Sequence, residues 1–359
     1  MSDTLSLSLD KHRQQIDKID NQILELLEER FVHVHEIGKA KNATGGAIYR
    51  PDREEAIIER LSTHSKTLDS KMIRSVFLEV FSLARNMERQ EFVGFLGPEG
   101  SYTHEAALEC FGNSSQYRPI NDIASVFRSV ASNGCKYGVV PIENSSNGIV
   151  SDTIESFAKY DISIIAEYSL RVHHALVNTS SDSAQIKKIY SKDIAFRQCK
   201  DFLHSCGLGQ DKIEWINVSS TSEAARLANI EPNSAAICSA RAARLHNLSI
   251  VQENIEDRDN NTTRFFVISD FYNVPTKKDK TSMLVTLPNK PGILYKFLKS
   301  FYVKDIDLTK IKSHISGGIT RFFVEFKGHR DDKKIQNTIK KYKKNIKFLG
   351  SYVRRFDDF

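Results

Sequence analysis

Apolar residues recur at every third or fourth position along the N-terminal segment, residues 8–41. The residues that follow this period are Ile16, Ile19, Ile23, Leu26, Leu27, Val34 and Ile37. They predict an amphipathic helix of about nine turns. A helix of that length cannot cover its own apolar stripe, so it needs partners. Two further helical stretches, residues 51–62 and 70–89, could supply them.

From residue 92 the pattern changes to short apolar runs that alternate with helical segments such as SYTHEAALECF and TSEAARLANI. Strands are predicted at EFVGFLG, KYGVVPI, ISIIAEYSL, HHALVN, KKIYS, AAICS and TRFFVIS. The alternation indicates a two-lobed α/β domain, similar in plan to periplasmic binding proteins. Small ligands bind in the cleft between such lobes.

The last 80 residues follow a third pattern, strand-helix-strand-strand-helix-strand. This order predicts an α+β ferredoxin-like βαββαβ domain. A chain of 359 residues is too long for one ordinary core. We therefore expect a multidomain protein with an all-α helical domain at 1–91, the two-lobed α/β domain at 92–274 and the βαββαβ domain at 280–359.

Charge is unevenly distributed along the chain. Residues 280–359 contain 15 Lys and 4 Arg against 7 Asp and Glu, a net charge of +12, which leaves −6 on residues 1–279. The lysine run KKYKKNIK lies on a helix-like pattern, which favours a solvated helix face over a nucleic-acid tail. We expect no nucleic-acid partner.

The N-terminus has no signal-peptide pattern, and no apolar run approaches the roughly 20 residues of a membrane helix. A cytoplasmic protein without membrane contact is therefore expected. Five scattered cysteines, with no C-x-x-C pair, predict structural thiols in a reducing compartment. Neither a metal nor a cofactor is expected.

Four cationic residues of the helical segment are candidates for anion binding: Arg13, Arg30, Lys41 and Arg53. The eleven residues from Arg30 to Lys41 place both on one helix face, within roughly 20°, so that they can bind one anion together. Arg13 lies about 25 Å from Arg30 along a straight helix. It is either a surface charge or a residue that one chain contributes to the pocket of another.

The spacing of these cations, with GKAK at 38–41 and RPDRE at 50–54, resembles the all-helical chorismate mutase family over roughly residues 5–90. The resemblance implies an intertwined homodimer, or a higher homo-oligomer, that rearranges chorismate to prephenate in a pocket shared by both chains. It makes Arg13 the contact from the partner chain. It also makes Arg30 and Arg53 carboxylate binders beside Glu54, and Lys41 a donor to the ether oxygen.

A pericyclic rearrangement of a dianion needs no nucleophile, only a held conformer and donors where charge grows. Where the family often has a Ser and a Gln donor, this chain has Ala84 and Glu88. Glu88 can donate only when protonated, which burial beside an electron-rich ether favours. We therefore expect the mutase rate to fall as the pH rises above the range in which Glu88 keeps its proton.

The middle segment contains four polar motifs, GPEGSYTHEAA, VPIENSSNG, FRQC and NNTTRF, each of which could be a plain turn or strand end. The first has a strand-turn-helix form suited to an anion, but it lacks the Lys-Ser/Thr of a nucleotide loop. Together the motifs gather neutral donors with Arg264 as the cation, which suits a polyoxygenated carboxylate. No Ser-His-Asp order, HExxH motif or acidic metal cluster is present.

In this order the motifs resemble prephenate dehydratase over about residues 92–272. The resemblance implies a prephenate cleft in which Thr263 gives a proton to the leaving hydroxyl, yielding phenylpyruvate, carbon dioxide and water. The residues implied as substrate binders are Ser101, Tyr102, Thr103, Glu143, Asn144, Ser145, His174, Gln198, Ser220, Thr221, Asn261 and Arg264.

The last segment resembles an ACT domain, a module that binds phenylalanine as an effector in this family. LPNKPGIL opens a helix whose N-terminus can take an amino-acid carboxylate. The family usually has Glu-Ser-Arg-Pro after the second strand, whereas this chain has Lys312-Ser313-His314-Ile315. The effector-binding residues implied are Asn289, Pro291, Gly292, Ile293, Leu294 and Ser313.

The whole chain is thus similar to the bifunctional chorismate mutase/prephenate dehydratase family of phenylalanine biosynthesis. Two alternatives stay open at this point. One is a non-catalytic two-lobed amino-acid-binding regulator, which would have no reason to carry the four mutase cations. The other is a dehydratase whose mutase half has decayed. Incubation with chorismate, followed by assays of prephenate and phenylpyruvate, would separate the three.

Overall fold

The structure is a computed structural model that describes residues 2–44 and 46–353, and the side chains of residues 9–41 and 46–353. Three helices form the N-terminal segment: α1 (Ser2–Thr44), α2 (Pro51–His64) and α3 (Ser70–Glu88). Pro51 opens α2, where its missing N–H costs nothing. Asp69 caps α3 by accepting a hydrogen bond from the backbone N–H of Met72 at 2.8 Å.

Among the described side chains of α1, those that pack against the other helices lie in its C-terminal part. Val34 is buried, and Gly38 approaches Glu88 so closely that a Cβ at Gly38 would lie 3.2 Å from the Glu88 Cα. Earlier in the helix, Ile16, Ile19 and Ile23 are 56%, 44% and 51% exposed. Within one chain, α2 and α3 therefore supply the expected partners for the C-terminal part of the stripe and leave its earlier part exposed.

The first lobe of the middle segment is built on a sheet of order β2-β1-β3-β11-β5, with β4 paired to β3. Its strands are β1 (Phe92–Leu96), β2 (Gln116–Ile120), β3 (Tyr137–Asn144), β4 (Gly148–Ile149), β5 (Ser163–Arg171) and β11 (Thr262–Ser269). Its helices are α4 (Tyr102–Phe111), α5 (Ile123–Ala131) and α6 (Ser151–Lys159).

The second lobe has the sheet order β10-β6-β9-β7-β8. Its strands are β6 (Ala175–Asn178), β7 (Lys188–Ser191), β8 (Glu214–Asn217), β9 (Ser234–Cys238) and β10 (Ser249–Gln252). Its helices are α7 (Asp193–Gln198), α8 (Lys200–Ser205), α9 (Thr221–Ile230) and α10 (Ala240–Leu245). The sequence prediction omitted β2, β4, β8 and β10, which lack long buried runs because they lie at sheet margins.

The C-terminal segment has the predicted element order and an antiparallel sheet of order β13-β14-β12-β15. Its elements are β12 (Asp279–Val285), α11 (Ile293–Tyr302), β13 (Leu308–Ser316), β14 (Ile319–Lys327), α12 (Lys333–Ile339), a 3-10 helix (Lys340–Asn345) and β15 (Ile346–Val353). The lysine run at 340–347, which lies on a helix-like sequence pattern, divides between the 3-10 helix and β15.

One hydrophobic core joins the first lobe to the C-terminal sheet. Phe266 and Ile268 of β11 pack in the same cluster as Leu284, Phe323 and Tyr352, all of them at most 3% exposed. Gly350 approaches the first lobe so closely that a Cβ at this position would overlap the carbonyl oxygen of Ile164. Because these sheets bury each other, the C-terminal segment is packed directly behind the strands of the first lobe.

The helical segment also packs on the first lobe. Tyr49 is fully buried beside Phe111, with 4.5 Å between ring centroids, and its backbone N–H donates to the hydroxyl of Tyr137 at 3.1 Å. Arg85 of α3 donates to the carbonyl oxygen of Phe111 at 2.7 Å. The three segments therefore form a continuous packed structure.

Candidate active sites

A group of charged residues surrounds Arg30 where α1, α2 and α3 meet. The guanidinium lies 6.0 and 5.8 Å from the ring centroids of Phe31 and Phe81. Burial lowers the pKa of the Arg30 guanidinium. The nearby carboxylates of Glu54 and Glu88 act to raise this pKa, and the charge of Arg53 acts to lower it. Nη1 of Arg30 is buried without a hydrogen-bond partner among the described residues. A buried, unpaired guanidinium N–H is suited to an anionic ligand.

Two carboxylates of this group are already paired. Lys41 Nζ donates to Oε2 of Glu88 at 2.7 Å, and Arg85 donates to Oε1 of Glu54. In this contact the carboxylate of Glu88 accepts a hydrogen bond. The contact gives no support to the prediction that Glu88 is a protonated donor. Ala84 is buried in α3. Sequence reasoning missed Arg85, whose long-range partners left no local signal.

Arg13 and Arg53 are more open. Arg13 is on the exposed part of α1, with its side chain 73% exposed and 3.3 Å from Asp10. Arg53 is exposed in the first turn of α2. Arg30, Lys41, Arg53, Glu54 and Glu88 are thus brought to one place, whereas Arg13 is not.

Between the two lobes lies a cleft of about 450 Å³. Of the predicted substrate residues, those that line it are Ser101, Tyr102, Thr103, Asn144, His174, Gln198, Ser220, Thr221 and Thr263. They come from the ends of β3 and α7 and the starts of α4, β6, α9 and β11, all of which border the space between the lobes. Asn261 lines an adjoining cavity together with Gln198.

A chain of hydrogen bonds crosses the floor of the cleft. Nδ2 of Asn144 donates to Oγ1 of Thr263 at 2.9 Å and to Oδ1 of Asn261 at 3.0 Å. Nδ2 of Asn261 in turn donates to Oε1 of Gln198 at 3.1 Å, and that oxygen lies 2.9 Å from Nε2 of His174. Thr263 is thereby held from the acceptor side, which leaves its O–H proton free to point toward a ligand.

His174 completes this chain as a neutral imidazole. Burial lowers its pKa, while the hydrogen bond to Gln198 and the charge of Glu256 act to raise it. Because Oε1 of Gln198 can only accept, we assign the single ring proton to Nε2. Nδ1 of His174 and the carbonyl oxygen of His173 are then both acceptors, each 2.8 Å from the hydroxyl of Tyr102, which shares its one proton between them. Burial also raises the pKa of Tyr102 well above its usual value, so this hydroxyl keeps its proton.

Anion-binding features face the cleft from both lobes. The N-termini of α4 and α9 open toward it, capped by Ser101 and Ser220. Each terminus carries partial positive charge. Lys192 is the one Lys or Arg among the described residues that line the cleft. Sequence reasoning missed it, although its position directly after the KKIYS strand was a usable signal.

Three predicted substrate residues are placed elsewhere. Arg264 is only 5% exposed and donates to both carboxylate oxygens of Glu325 in β14, at 2.8 and 3.0 Å. Glu143 accepts from Lys310 of β13. Successive strand residues face opposite sides, so Arg264 and Glu143 point away from the cleft that Thr263 and Asn144 face. Ser145 bonds the backbone of residues 260 and 262. None of these three lines the cleft in this structure, and their role as substrate binders stays a prediction.

The C-terminal segment has a cavity of about 640 Å³ between the start of α11 and the β13–β14 hairpin. The predicted effector residues that line it are Asn289, Gly292, Ile293 and Leu294, but not Pro291 or Ser313. Gly292 adopts φ +74° at the N-cap of α11, a left-handed conformation that favours glycine. His314, in the departing Lys312–Ile315 stretch, lies 3.3 Å from Glu155 of α6.

Two negative findings apply to the part of the chain that the structure describes. It contains no group of three or more His, Cys, Asp or Glu side chains placed to hold a metal ion. No helix in it is both long enough and apolar enough to cross a membrane.

Comparisons with known proteins find a family match for the helical segment and another for the two-lobed segment. The prephenate dehydratase family matches residues 93–271, and the chorismate mutase type II family matches residues 12–89. A bifunctional chorismate mutase/prephenate dehydratase of Pseudomonas aeruginosa is 38% identical over 355 residues, covering 95% of this chain and 96% of its own. The chain belongs to the bifunctional chorismate mutase/prephenate dehydratase family. It thus combines two enzymes of phenylalanine biosynthesis, and neither alternative finds support.

Two further proteins extend the comparison, one of the bifunctional description and one a prephenate dehydratase. The Aquifex aeolicus protein of the same description is 34% identical, covering 95% of this chain and 97% of its own. The solved prephenate dehydratase of Arthrobacter aurescens, described as a complex with L-Phe, superposes with a TM-score of 0.67 at 27% identity. That match covers 73% of this chain and 90% of the other, so it extends beyond residues 93–271.

Proposed function

We propose that the dehydratase reaction takes place in the interlobe cleft with Thr263 as its acid. The observation that carries this assignment is the 2.9 Å hydrogen bond in which Asn144 donates to Oγ1 of Thr263. It uses an acceptor lone pair of the hydroxyl and directs the O–H proton outward. A threonine hydroxyl is a weak acid, so positioning and the aromatisation of the ring must supply most of the driving force.

In this mechanism the carbon–carboxylate bond of prephenate breaks and carbon dioxide leaves. The bonding electrons enter the ring, which becomes aromatic and expels its 4-hydroxyl. Thr263 protonates that hydroxyl to water and regains a proton from solvent. The two carboxylates of prephenate are held by Lys192 and by the N-termini of α4 and α9, while Tyr102, His174, Gln198 and Asn261 keep the polar floor in place.

Thr263→Ala tests the assignment, with Thr263→Ser as the conservative control. Dehydratase kcat should fall by about two orders of magnitude or more in the alanine variant, as expected for loss of a general acid. The serine variant should retain a substantial part of it. Mutase activity of the same samples reports intact folding. Full phenylpyruvate formation by Thr263→Ala would end the assignment.

For the mutase we propose that Arg30 and Arg53 bind the carboxylates of chorismate and that Lys41 donates to the ether oxygen. The buried, unpaired Nη1 of Arg30 supports this role. Glu88 is the second donor to the ether oxygen if substrate binding shifts Lys41 and leaves the Glu88 carboxyl protonated. In the contact seen in this structure, Glu88 instead orients Lys41. Glu54, held by Arg85, balances the charge of the group.

The pH profile of the mutase separates the two roles of Glu88. A protonated donor requires activity to fall as the pH rises between about 5 and 9, and Glu88→Gln, which always donates, should remove that fall. A flat wild-type profile, together with loss of activity in Glu88→Gln, would assign Glu88 to the orientation of Lys41.

We also propose that two chains pair through α1, so that Arg13 of each reaches the mutase pocket of the other. The exposed apolar stripe of α1 supports this pairing, because contiguous apolar surface of this kind marks an interface. The cytoplasmic location stays a prediction.

The C-terminal segment we propose to be an ACT domain that binds L-phenylalanine in the cavity at the start of α11. The N-terminus of α11 suits the carboxylate of an amino acid, and the solved relative described with L-Phe supports the ligand. Isothermal titration of the full chain with L-phenylalanine tests this, with L-alanine as the control ligand. Absence of binding would indicate that the departure from the family pattern at Lys312–Ile315 goes together with loss of effector binding.

A further inference from the structure

Directly behind the catalytic strands lies a buried cluster of ion pairs that the proposed reactions do not use. We call it the interface cluster; it consists of Glu143, Glu167, Arg264, Lys280, Lys310 and Glu325. It contains three cations and three carboxylates, and Lys280 and Glu325 are at most 1% exposed. Charges buried so deeply must be paired, because an unpaired one is strongly destabilising.

Two members of the cluster are the immediate neighbours of the residues that form the cleft floor. Thr263 of β11 is in register with Asn144 of β3, and Arg264 is in register with Glu143. The alternation of side chains places one pair in the cleft and the other pair in the interface cluster. Any displacement of the Arg264 backbone therefore displaces Thr263 as well.

The partners of both neighbours belong to the C-terminal sheet. Arg264 is held by both carboxylate oxygens of Glu325, and Glu143 is held by Lys310. Glu325 is itself fixed, because its Oε1 accepts from the hydroxyls of Ser282 at 2.9 Å and Tyr352 at 3.1 Å. A two-point contact between a planar guanidinium and a fixed carboxylate defines orientation as well as distance.

We propose that Arg264 and Glu143 are positioning residues through which the C-terminal sheet sets the placement of Thr263 and Asn144. The proposal rests on the role of Thr263 given above. Thr263 must meet the leaving hydroxyl within hydrogen-bond distance, and a misplacement of about 1 Å can reduce catalysis about 100-fold. The dehydratase is in this way made dependent on a strand that belongs to another segment of the chain.

The same strand also reaches the C-terminal cavity. Ile319, Thr320 and Phe322 of β14 line that cavity, and Glu325 follows Phe322 by three residues, about 10 Å along a strand. A ligand in the cavity and the carboxylate that holds Arg264 thus contact one continuous element. The interface cluster provides a direct physical connection from that cavity to the dehydratase cleft.

The test compares Glu325→Gln and Arg264→Lys in the full chain, with steady-state kinetics on prephenate and on chorismate. We expect dehydratase kcat to fall about 10- to 100-fold in both variants, since each breaks the two-point contact, while KM for prephenate stays within about two-fold. Mutase kcat should not change. Glu155→Gln is the matched control, because Glu155 also contacts the C-terminal sheet, through His314, but is 51% exposed and far along the chain from β11.

Wild-type dehydratase kcat in Glu325→Gln would overturn the proposal. A raised KM at constant kcat would also overturn it, because that result means that Arg264 acts on the substrate.

If Glu325→Gln does not fold, as judged by lost mutase activity, Lys310→Met replaces it, since Lys310 is partly exposed and contacts Glu143. A full dehydratase rate in folded Lys310→Met contradicts the proposal, and a reduced kcat at constant KM supports it. Thr263→Ala distinguishes failure of the proposed function from failure of this further proposal. If Thr263→Ala is fully active, Thr263 is not the acid, whatever the kinetics of Glu325→Gln.

Discussion

At the scale of single residues, Lys192 illustrates how much of the charge in the dehydratase cleft depends on one side chain. The substrate is a dianion, yet Arg264, the cation that the sequence suggested, faces the interface cluster. Among the described lining residues this leaves Lys192 and the two helix N-termini to attract the carboxylates.

Lys192→Met should therefore raise KM for prephenate by about 5- to 10-fold, the effect of roughly 1 kcal/mol of lost charge attraction at an exposed site. Dehydratase kcat should change little, because the residue does not touch the hydroxyl that leaves. Initial-rate measurements at low and high salt provide the check. Lys200→Met is the control, since Lys200 lines the adjoining cavity and not the cleft. An unchanged KM would exclude Lys192 from substrate binding.

His174 predicts a loss of stability in mild acid. Its folded-state pKa is lowered by burial, so the unfolded chain binds more protons as the pH falls below about 6.5. Its contribution is complete above that pH and is lost as the pH falls toward the lowered pKa, at most about 1.4 kcal/mol for each pH unit. The drop in Tm between pH 7.5 and 5.5 should be smaller in His174→Gln than in the wild type. An equal drop would assign the acid sensitivity to His104 and His246, whose pKa values burial also lowers.

The residues of the cleft could be predicted only in part. Thr263, Asn144 and Gln198 belong to short local motifs, and the structure brings them together as the motifs suggested. Arg264 and Glu143 share those motifs but face the other side of the sheet, which the alternation of a strand could have indicated. Their partner Glu325 could not be found from the sequence, since it is 61 residues away from Arg264 and belongs to no motif.

At the scale of elements, α1 is the part of the fold whose surface is least accounted for by the chain itself. Its apolar residues were predicted from their period, and the helix forms, but the stripe from Ile16 to Ile23 stays exposed. Sequence periodicity indicates that a face must be buried and does not indicate by which chain. A second copy is the partner proposed above, and the role proposed for Arg13 depends on the same pairing.

A complementation experiment tests this pairing of α1. Arg13→Ala and Arg30→Ala should each abolish most mutase activity. When the two variants are mixed, unfolded and refolded together, about half of the dimers contain one chain of each kind. Each of these has one intact site out of two, so about a quarter of the wild-type activity should return. Dehydratase activity of the mixture measures the refolded protein. If mixing restores nothing while both variants dimerise, Arg13 does not cross between chains.

At the scale of the whole molecule, the order of the three segments and most of their elements were predictable, because each segment has its own hydrophobic period. The packing between segments was not. The residues that join the first lobe to the C-terminal sheet, such as Phe266 and Phe323, appear in the sequence as ordinary strand residues of two separate domains. The hydrophobic period of a strand does not show which other sheet covers its apolar face.

This shared core predicts that the first lobe and the C-terminal sheet unfold together. Phe323→Ala should destabilise both by about 3–5 kcal/mol, the usual effect of removing a buried ring. Calorimetry should show one transition for the two parts, shifted to lower temperature, and hydrogen exchange should increase in β11 as well as in β14. Tyr302→Ala, at an 82% exposed site of the same segment, should change neither. Two separate transitions, of which only one shifts, would contradict the prediction.

The close contact at Gly350 has a practical consequence for protease digestion. Cleavage in the link between the two segments, near residues 275–278, should leave both products associated, because β15 remains held against Ile164 and the pieces still cover each other's apolar faces. A gel under denaturing conditions would show two bands, whereas gel filtration would show one particle of unchanged size. Separate expression of residues 92–274 would, for the same reason, leave Phe266 and Ile268 uncovered and produce an aggregation-prone fragment.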